Sequence, residues 1–228
     1  MTTAGIPKQA DCVHGRRAFD VNEYWLRRGK TYVSEERLAS EYYRRQERFL
    51  LDRLLSARLP MQRILELGCG FGRITRLLAS TFPTAAITAV DLSPDQLAHA
   101  RVWCAEARNI TFLPYDIYSN QSFPSDRYDT AIAIEVFLHH PLDAVTRAVD
   151  RLAAVSSYIV NLDWSEDWTW EIAEHVWVHD YAAMYRGRGL RCQEFTLPEK
   201  IDGQQQKLFI ASHPDAIPGP TTGAAVRE

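Results

Sequence analysis

The stretch Ile64-Leu-Glu-Leu-Gly-Cys-Gly-Phe-Gly-Arg73 constrains this chain most: a short apolar run of strand type enters three alternating glycines and then a helical pattern. Glycine has no Cβ, so Gly68, Gly70 and Gly72 let the backbone turn sharply and let a ligand approach it closely. The helix that follows aims its free N–H groups at the same place. A turn of this kind belongs in an open α/β sheet, where ligands sit outside the carboxyl ends of the strands.

The pattern around it continues in the same rhythm. Strands are expected at 63–67, 86–90, 110–113, 128–134 and 157–162, with helices at 72–82, 94–107 and 142–153 between them. Ser93 is the expected N-cap of the second of these helices and Pro94 its first residue. Such alternation predicts a mostly parallel sheet with helices on both faces. A helix is expected at 179–188, closed by Gly189, and then strands at 190–197 and 207–211, joined by a turn at Asp202-Gly203, pair antiparallel at the sheet edge. Upstream, Ser34 with Glu35 and Glu36 reads as the start of a helix that runs to 58 and stops before Pro60.

The chain divides accordingly. Residues 1–33 form an N-terminal arm in which Tyr24, Trp25 and Tyr32, set among basic residues, can cover a ligand or pack on the domain surface. Residues 34–212 form the domain, with a tryptophan-rich insertion at 163–180 whose Asp163 and Trp164 are candidate acceptor-lining residues, and 213–228 read as a disordered tail. A length of 228 residues suits one such domain. The net charge of −3, without a long basic run, leaves no electrostatic footprint for nucleic acid or an acidic membrane and points to a small-molecule partner. Four scattered cysteines with no C-x-x-C, and no long apolar run, predict a soluble protein in a reducing cytoplasm; monomer and homodimer are both left open by the sequence.

Acidic residues follow the ends of successive strands. Glu66 lies inside the glycine motif, and Asp91, about twenty residues beyond it, is placed to accept the hydroxyls of a ribose. Asp116, after the third strand, can accept from an adenine amino group. The third position of a dinucleotide G-x-G-x-x-G motif is occupied by Arg73, whose side chain would crowd helix against strand, so NAD is disfavoured. No G-x-x-x-x-G-K-[ST] phosphate loop is present.

These residues resemble the class I S-adenosylmethionine-dependent methyltransferases. Glu66-Leu-Gly-Cys-Gly-Phe-Gly72 is similar to their first motif, Val90-Asp-Leu-Ser93 to the acidic motif on the second strand, Tyr115-Asp-Ile117 to the adenine motif, and 129–140 to the fourth-strand motif. The resemblance covers roughly residues 50–211 and implies a Rossmann-like seven-stranded sheet whose last two strands form the antiparallel hairpin. It implies S-adenosylmethionine as cofactor and S-adenosylhomocysteine as product. Gly68, Gly70 and Gly72 would lie against the methionine portion and Glu66 would hold its ammonium group. Asp91 would bind the ribose, Leu92 would pack on adenine, Asp116 and Ile117 would complete the adenine site, and Glu135 would line the cofactor.

The reaction implied is a displacement at an activated methyl, in which holding donor and acceptor in line supplies much of the catalysis. His139 and His140, after the fourth strand, are the candidate bases, although relatives carry a histidine at the place of His139 whatever they methylate, so a lining role stands beside that one. His175 and His179, four apart with Asp180 beside them, could ligate a metal from one helix face, but a third ligand is lacking and no metal is expected. Glu135-Val-Phe-Leu138 replaces the Asn/Asp-Pro-Pro-aromatic pattern used on nucleobase amines, which favours an O or N nucleophile of a small metabolite, such as a sugar or another biosynthetic intermediate. An oxidoreductase on the same topology and a non-catalytic cofactor-binding subunit are the alternatives.

Overall fold

A computed structural model describes residues 19–32, 40–125, 127–164, 175–200 and 205–217. In chain order the elements are α1 (Val21–Gly29), α2 (Glu41–Ser56), β1 (Arg63–Leu67), α3 (Arg73–Thr81), β2 (Ala86–Asp91), α4 (Pro94–Trp103), β3 (Ile110–Pro114) and β4 (Tyr128–Ile134). A single 3₁₀ turn (Phe137–His139) follows, then α5 (Leu142–Val155), β5 (Ser156–Trp164), α6 (Tyr181–Arg186), β6 (Arg191–Thr196) and β7 (Gln206–Ser212).

The seven strands order as β3-β2-β1-β4-β5-β7-β6. The first five run parallel, and β7 is antiparallel to both β5 and β6. The strand order reverses between β1 and β4, and the crevice of an open sheet lies at such a reversal. Side chains alternate across the sheet, and both faces are apolar because both are covered. Ile64 joins Leu50, Leu54, Ile74 and Leu78 from α2 and α3 on one face. Leu65 joins Val145, Val149 and Leu152 of α5 and Tyr181 and Tyr185 of α6 on the other.

The expected strands and the alternation are all present, with differences at several element ends and one added helix. The chain before the domain contains a helix, α1, capped by Asp20, whose side chain accepts from the Glu23 backbone N–H at 2.9 Å. Helix α4 ends at Trp103 rather than 107, because the chain must turn at 104–109 to enter β3, and Asn109 fastens that turn by donating to the Phe82 carbonyl at 3.2 Å. β5 extends two residues past its expected end, to Trp164, since β7 pairs with it along that whole length. The late helix starts at Tyr181 and not at His179, because Asp180 caps it by accepting from Ala183 N–H at 2.9 Å. The start of α2 expected at Ser34, most of the tryptophan-rich insertion, the Asp202-Gly203 turn and the end of the tail lie outside the described residues; the described helix begins at Glu41 with Ser40 as its N-cap. No described helix is long and apolar enough to cross a membrane.

Candidate active site

β1 delivers the glycine turn to the carboxyl end of the sheet. Gly68 and Cys69 both donate backbone N–H groups to the Val90 carbonyl, at 2.8 and 3.0 Å, which ties the turn to β2. All three glycines have positive φ, for which glycine is the favoured residue. Their surroundings differ. A Cβ at Gly68 would meet Val136 at 2.5 Å and one at Gly72 would meet Ala100 and Cys104 of α4 at 3.0 to 3.2 Å, so close packing demands glycine at both. Nothing nearer than 3.6 Å would meet a Cβ at Gly70, and there the open side of the turn is free for a ligand. Arg73 does not crowd β1 as the motif spacing implied: its guanidinium turns toward α2, to Gln46 at 2.9 Å and Glu47 at 3.2 Å, and lies over the Tyr43 ring.

The turn opens onto a cavity of about 1070 Å³, counted to its open mouth, at the carboxyl ends of β1, β2 and β4. Glu66, Gly68, Gly70, Asp91, Leu92, Asp116, Ile117, Glu135, His139 and His140 all line it, as do Trp25 and Tyr32. Of the expected cofactor residues only Gly72 stands back from the lining, in its packing position under α4.

The carboxylates are held in distinct ways. Asp91 accepts from the backbone N–H groups of Gly70 and Ser93, each at 2.8 Å; burial pushes its carboxyl above the usual range, and those two donors pull it back. Asp116 accepts from Tyr118 N–H at 2.8 Å and from the Asn22 amide at 3.1 Å. Glu135 sits at φ +56°, a strained backbone for a non-glycine residue. Its carboxylate accepts from the Tyr42 hydroxyl and from Gln206 at 3.0 Å, and Gln206 in turn accepts from Gln46. Glu66 is buried, and burial pushes its carboxyl up to about 8.

Three residues that line the cavity carry buried acceptor oxygens with no hydrogen-bond donor among the described residues: Asn22 Oδ1, Glu66 Oε2 and Gln96 Oε1. Buried polar atoms are nearly always satisfied, and three orphan oxygens around one space suit a ligand that carries several donors. The sequence reading missed Asn22, Gln96, Tyr43 and Phe71 as lining residues. The Asp20-x-x-Glu23 spacing, a capping signal, would have revealed the helix that brings Asn22 in.

The histidines form an apolar-sided wall. His139 Nδ1 lies 3.0 Å from the His175 carbonyl, which can only accept, so Nδ1 carries the proton and Nε2 is left as an acceptor. Trp25 meets the His139 ring edge to face at 4.6 Å. His140 Nδ1 lies 3.1 Å from the Tyr118 hydroxyl, and its carbonyl accepts from His179 at 2.9 Å. Burial holds His139 down at about 4 and His140 at about 3, with the neighbouring histidines adding to the latter, so both are neutral at pH 7 and weak as bases.

Three expected acceptor-lining residues are not in the cavity wall. Tyr24 stacks on His175 at 4.6 Å behind Trp25. Trp164 stacks on Tyr42 at 6.3 Å. Asp163 is fully buried, where it accepts from Asn161 at 3.0 Å, because the extra length of β5 carries it into the sheet. His175 and His179 do not share a helix face, since both precede α6, and among the described residues no three ligating side chains meet as a metal site.

A family model described as a methyltransferase domain matches residues 64–157. A malonyl-[acyl-carrier protein] O-methyltransferase of Paenibacillus sp. (strain JDR-2) is 33% identical over 103 residues, 42% of this chain and 37% of the relative. A trans-aconitate 2-methyltransferase of Streptomyces avermitilis is 34% identical over 93 residues, 40% of this chain and 33% of the relative. The matches thus span only about a third of the length of these relatives. Among solved structures, the N-methyltransferase NodS of Bradyrhizobium japonicum WM9 in complex with S-adenosyl-L-homocysteine superposes with a TM-score of 0.69 at 19% identity, over 86% of this chain and all of the other. Magnesium protoporphyrin IX methyltransferase (ChlM) of Synechocystis PCC 6803 with bound SAM gives 0.67 at 15%, over 87% of this chain and all of the other. A methyltransferase-domain model thus matches residues 64–157, and the seven-stranded sheet built around them has the same fold as these solved methyltransferases.

Proposed function

We propose that the protein transfers the methyl group of S-adenosylmethionine to an oxygen or nitrogen of a small biosynthetic metabolite, such as a sugar or natural-product intermediate, and releases S-adenosylhomocysteine. One observation carries this: the buried Glu66 carboxyl, its Oε2 without a donor, beside a glycine turn that leaves Gly70 open, in a cavity at the reversal point of the sheet. An ammonium group is the partner that such a carboxyl lacks. Asp91 keeps lone pairs beyond the two it gives to Gly70 and Ser93, and these suit vicinal hydroxyls. Leu92 and Ile117 offer apolar surface to a flat base, and Asp116 lies beside them at the cavity wall.

The sulfonium supplies an already activated methyl, so the chain's task is to place the acceptor, exclude water and receive a proton. Trp25, Tyr32 and His139 wall the side of the cavity where α1 closes over it. His139 is neutral and presents Nε2 as an acceptor, which orients a hydroxyl or amine hydrogen and takes only an acidic proton unaided. Glu135, fixed by Tyr42 and Gln206, is the nearby carboxylate that can take up the charge. Relatives described as O-methyltransferases and a neighbour described as an N-methyltransferase support both classes of nucleophile. The free thiols Cys69, Cys104 and Cys192 support a reducing, cytoplasmic setting.

The test pairs binding with transfer. Calorimetry on the purified protein should find S-adenosylhomocysteine bound at micromolar concentration and NAD unbound, and a radiolabelled-methyl screen over fractionated metabolites should label one fraction. Stabilisation on heating by NAD alone would replace this function with an oxidoreductase. Cofactor binding with no labelled fraction would leave a non-catalytic binding subunit.

A further inference from the structure

We infer that Asn22, from the helix ahead of the domain, receives the exocyclic amino group of the cofactor's adenine, so that α1 reads the nucleobase as well as roofing the cavity. This rests on the cofactor assignment above and goes beyond it, because the amine is otherwise left to Asp116 alone.

Both Asp116 oxygens already have donors: Oδ1 takes the Tyr118 N–H and Oδ2 takes the Asn22 amide. A carboxylate has no hydrogen to donate, so the Asn22 nitrogen must face Asp116 and its Oδ1 must face elsewhere. That oxygen is buried, has no donor among the described residues, and belongs to a residue lining the same cavity as Asp116 and Ile117. An amino group that approaches Asp116 therefore finds a second acceptor beside it, fixed in orientation before the ligand arrives.

The position of Asn22 is built rather than incidental. Asp20 caps the helix two residues before it. At its other end the Gly29 carbonyl accepts from the buried Gln96 amide at 2.6 Å, and Gly29 fits against Ser93 so closely that a Cβ would lie 2.3 Å from its hydroxyl. Helix α1 is thus held on α4 at one end and on Asp116 at the other. Trp25, on the same helix, meets His139, so the cofactor's base and the acceptor's wall are read by one rigid element.

The probes are S-adenosylhomocysteine and S-inosylhomocysteine, which differ by an amino group against a carbonyl oxygen at the same ring carbon. The full-length protein should bind the first more tightly, and Asn22→Ala should reduce that preference roughly three- to tenfold, the worth of one buried hydrogen bond. Trp25→Ala, on the same helix but away from the amine, should keep the wild-type preference. An unchanged preference in Asn22→Ala, with either ligand still bound, would overturn the assignment. So would an equal loss in both variants, which would trace the effect to docking of α1. Asn22→Leu repeats the measurement if Asn22→Ala disturbs the helix, judged by circular dichroism. No binding of S-adenosylhomocysteine by the wild type would instead defeat the cofactor assignment itself.

Discussion

Asp91 does two tasks with one carboxylate. It fastens the glycine turn through Gly70 and the start of α4 through Ser93, and it stands in the cavity where a diol would bind. Charged hydrogen bonds of this kind are each worth about 1.5 to 3 kcal/mol. Asp91→Ala should therefore weaken S-adenosylhomocysteine by roughly tenfold to a hundredfold in calorimetry, and part of that loss reflects the slackened turn. Asp91→Asn separates the parts: its single remaining acceptor oxygen can keep a ligand bond or a backbone bond, so an intermediate affinity is expected. Unchanged binding in the alanine variant would put the ribose somewhere else. The three glycines are glycine for different reasons: a Cβ would press on Val136 at Gly68 and on Ala100 at Gly72, whereas at Gly70 it would meet nothing nearer than 3.6 Å, and Gly68 and Gly70 both line the cavity.

At the scale of elements, α1 is the piece whose loss should leave the fold standing. Its anchor is Gly29, where a methyl group would collide with Ser93. Alanine is the better helix former by about 0.5 to 1 kcal/mol, so the sign of Gly29→Ala is a contest between propensity and clash. The 2.3 Å contact is with a hydroxyl that also caps α4 and is backed by its own Cβ at 3.0 Å, and the clash wins. Hydrogen exchange across 21–29 should accelerate by an order of magnitude or more, while the sheet keeps its protection and the melting temperature moves by only a few degrees. Slower exchange in α1 would show that the helix shifts to absorb the methyl group. The strands from Arg63 to Ile134 were legible because a parallel sheet covered on both faces writes continuous apolar runs punctuated by caps such as Ser93-Pro94. The cofactor residues were legible because they sit at fixed offsets from those strand ends. Helix α1 was not, since its fixing contacts, Asn22 to Asp116 and Gly29 to Gln96, join residues 94 and 67 positions apart. Asp163 was misplaced for a similar reason: whether a strand-end residue turns into the cavity or into the sheet depends on how far β7 pairs along β5.

The whole molecule concentrates carboxyl groups in one cavity, with Glu66, Asp91, Asp116 and Glu135 around a space in a chain of net charge only −3. Folding without a ligand must bury Glu66, and this leaves a signature in the pH dependence of stability. Its carboxyl titrates at about 8 in the folded chain against an ordinary value of 4.5. Between those values the folded chain holds a proton that the unfolded chain has released, so stability falls as pH rises from about 4.5 to 8 and levels off above. The buried histidines act in the opposite sense. His139 and His140 titrate at about 4 and 3 in the folded chain against 6.5, so their contribution is complete above 6.5 and is lost as pH falls toward those lower values. Above neutrality the histidine contribution is constant, and the Glu66 effect stands clear. Glu66→Gln, which has no charge to bury, should therefore gain on the wild type as pH rises from 6.5 to 8.5, by about 2 kcal/mol in denaturant melts. Contributions from groups that do not interact with Glu66, such as the two histidines, are common to both proteins and cancel in the difference. A ligand ammonium against Glu66 favours its ionised form, so S-adenosylhomocysteine should release a proton on binding at pH 7 in the wild type and release less in Glu66→Gln, measured by calorimetry in buffers of different ionisation enthalpy. Parallel pH profiles for the two proteins would mean that Glu66 is already ionised in the free protein, and the ammonium would then need another partner.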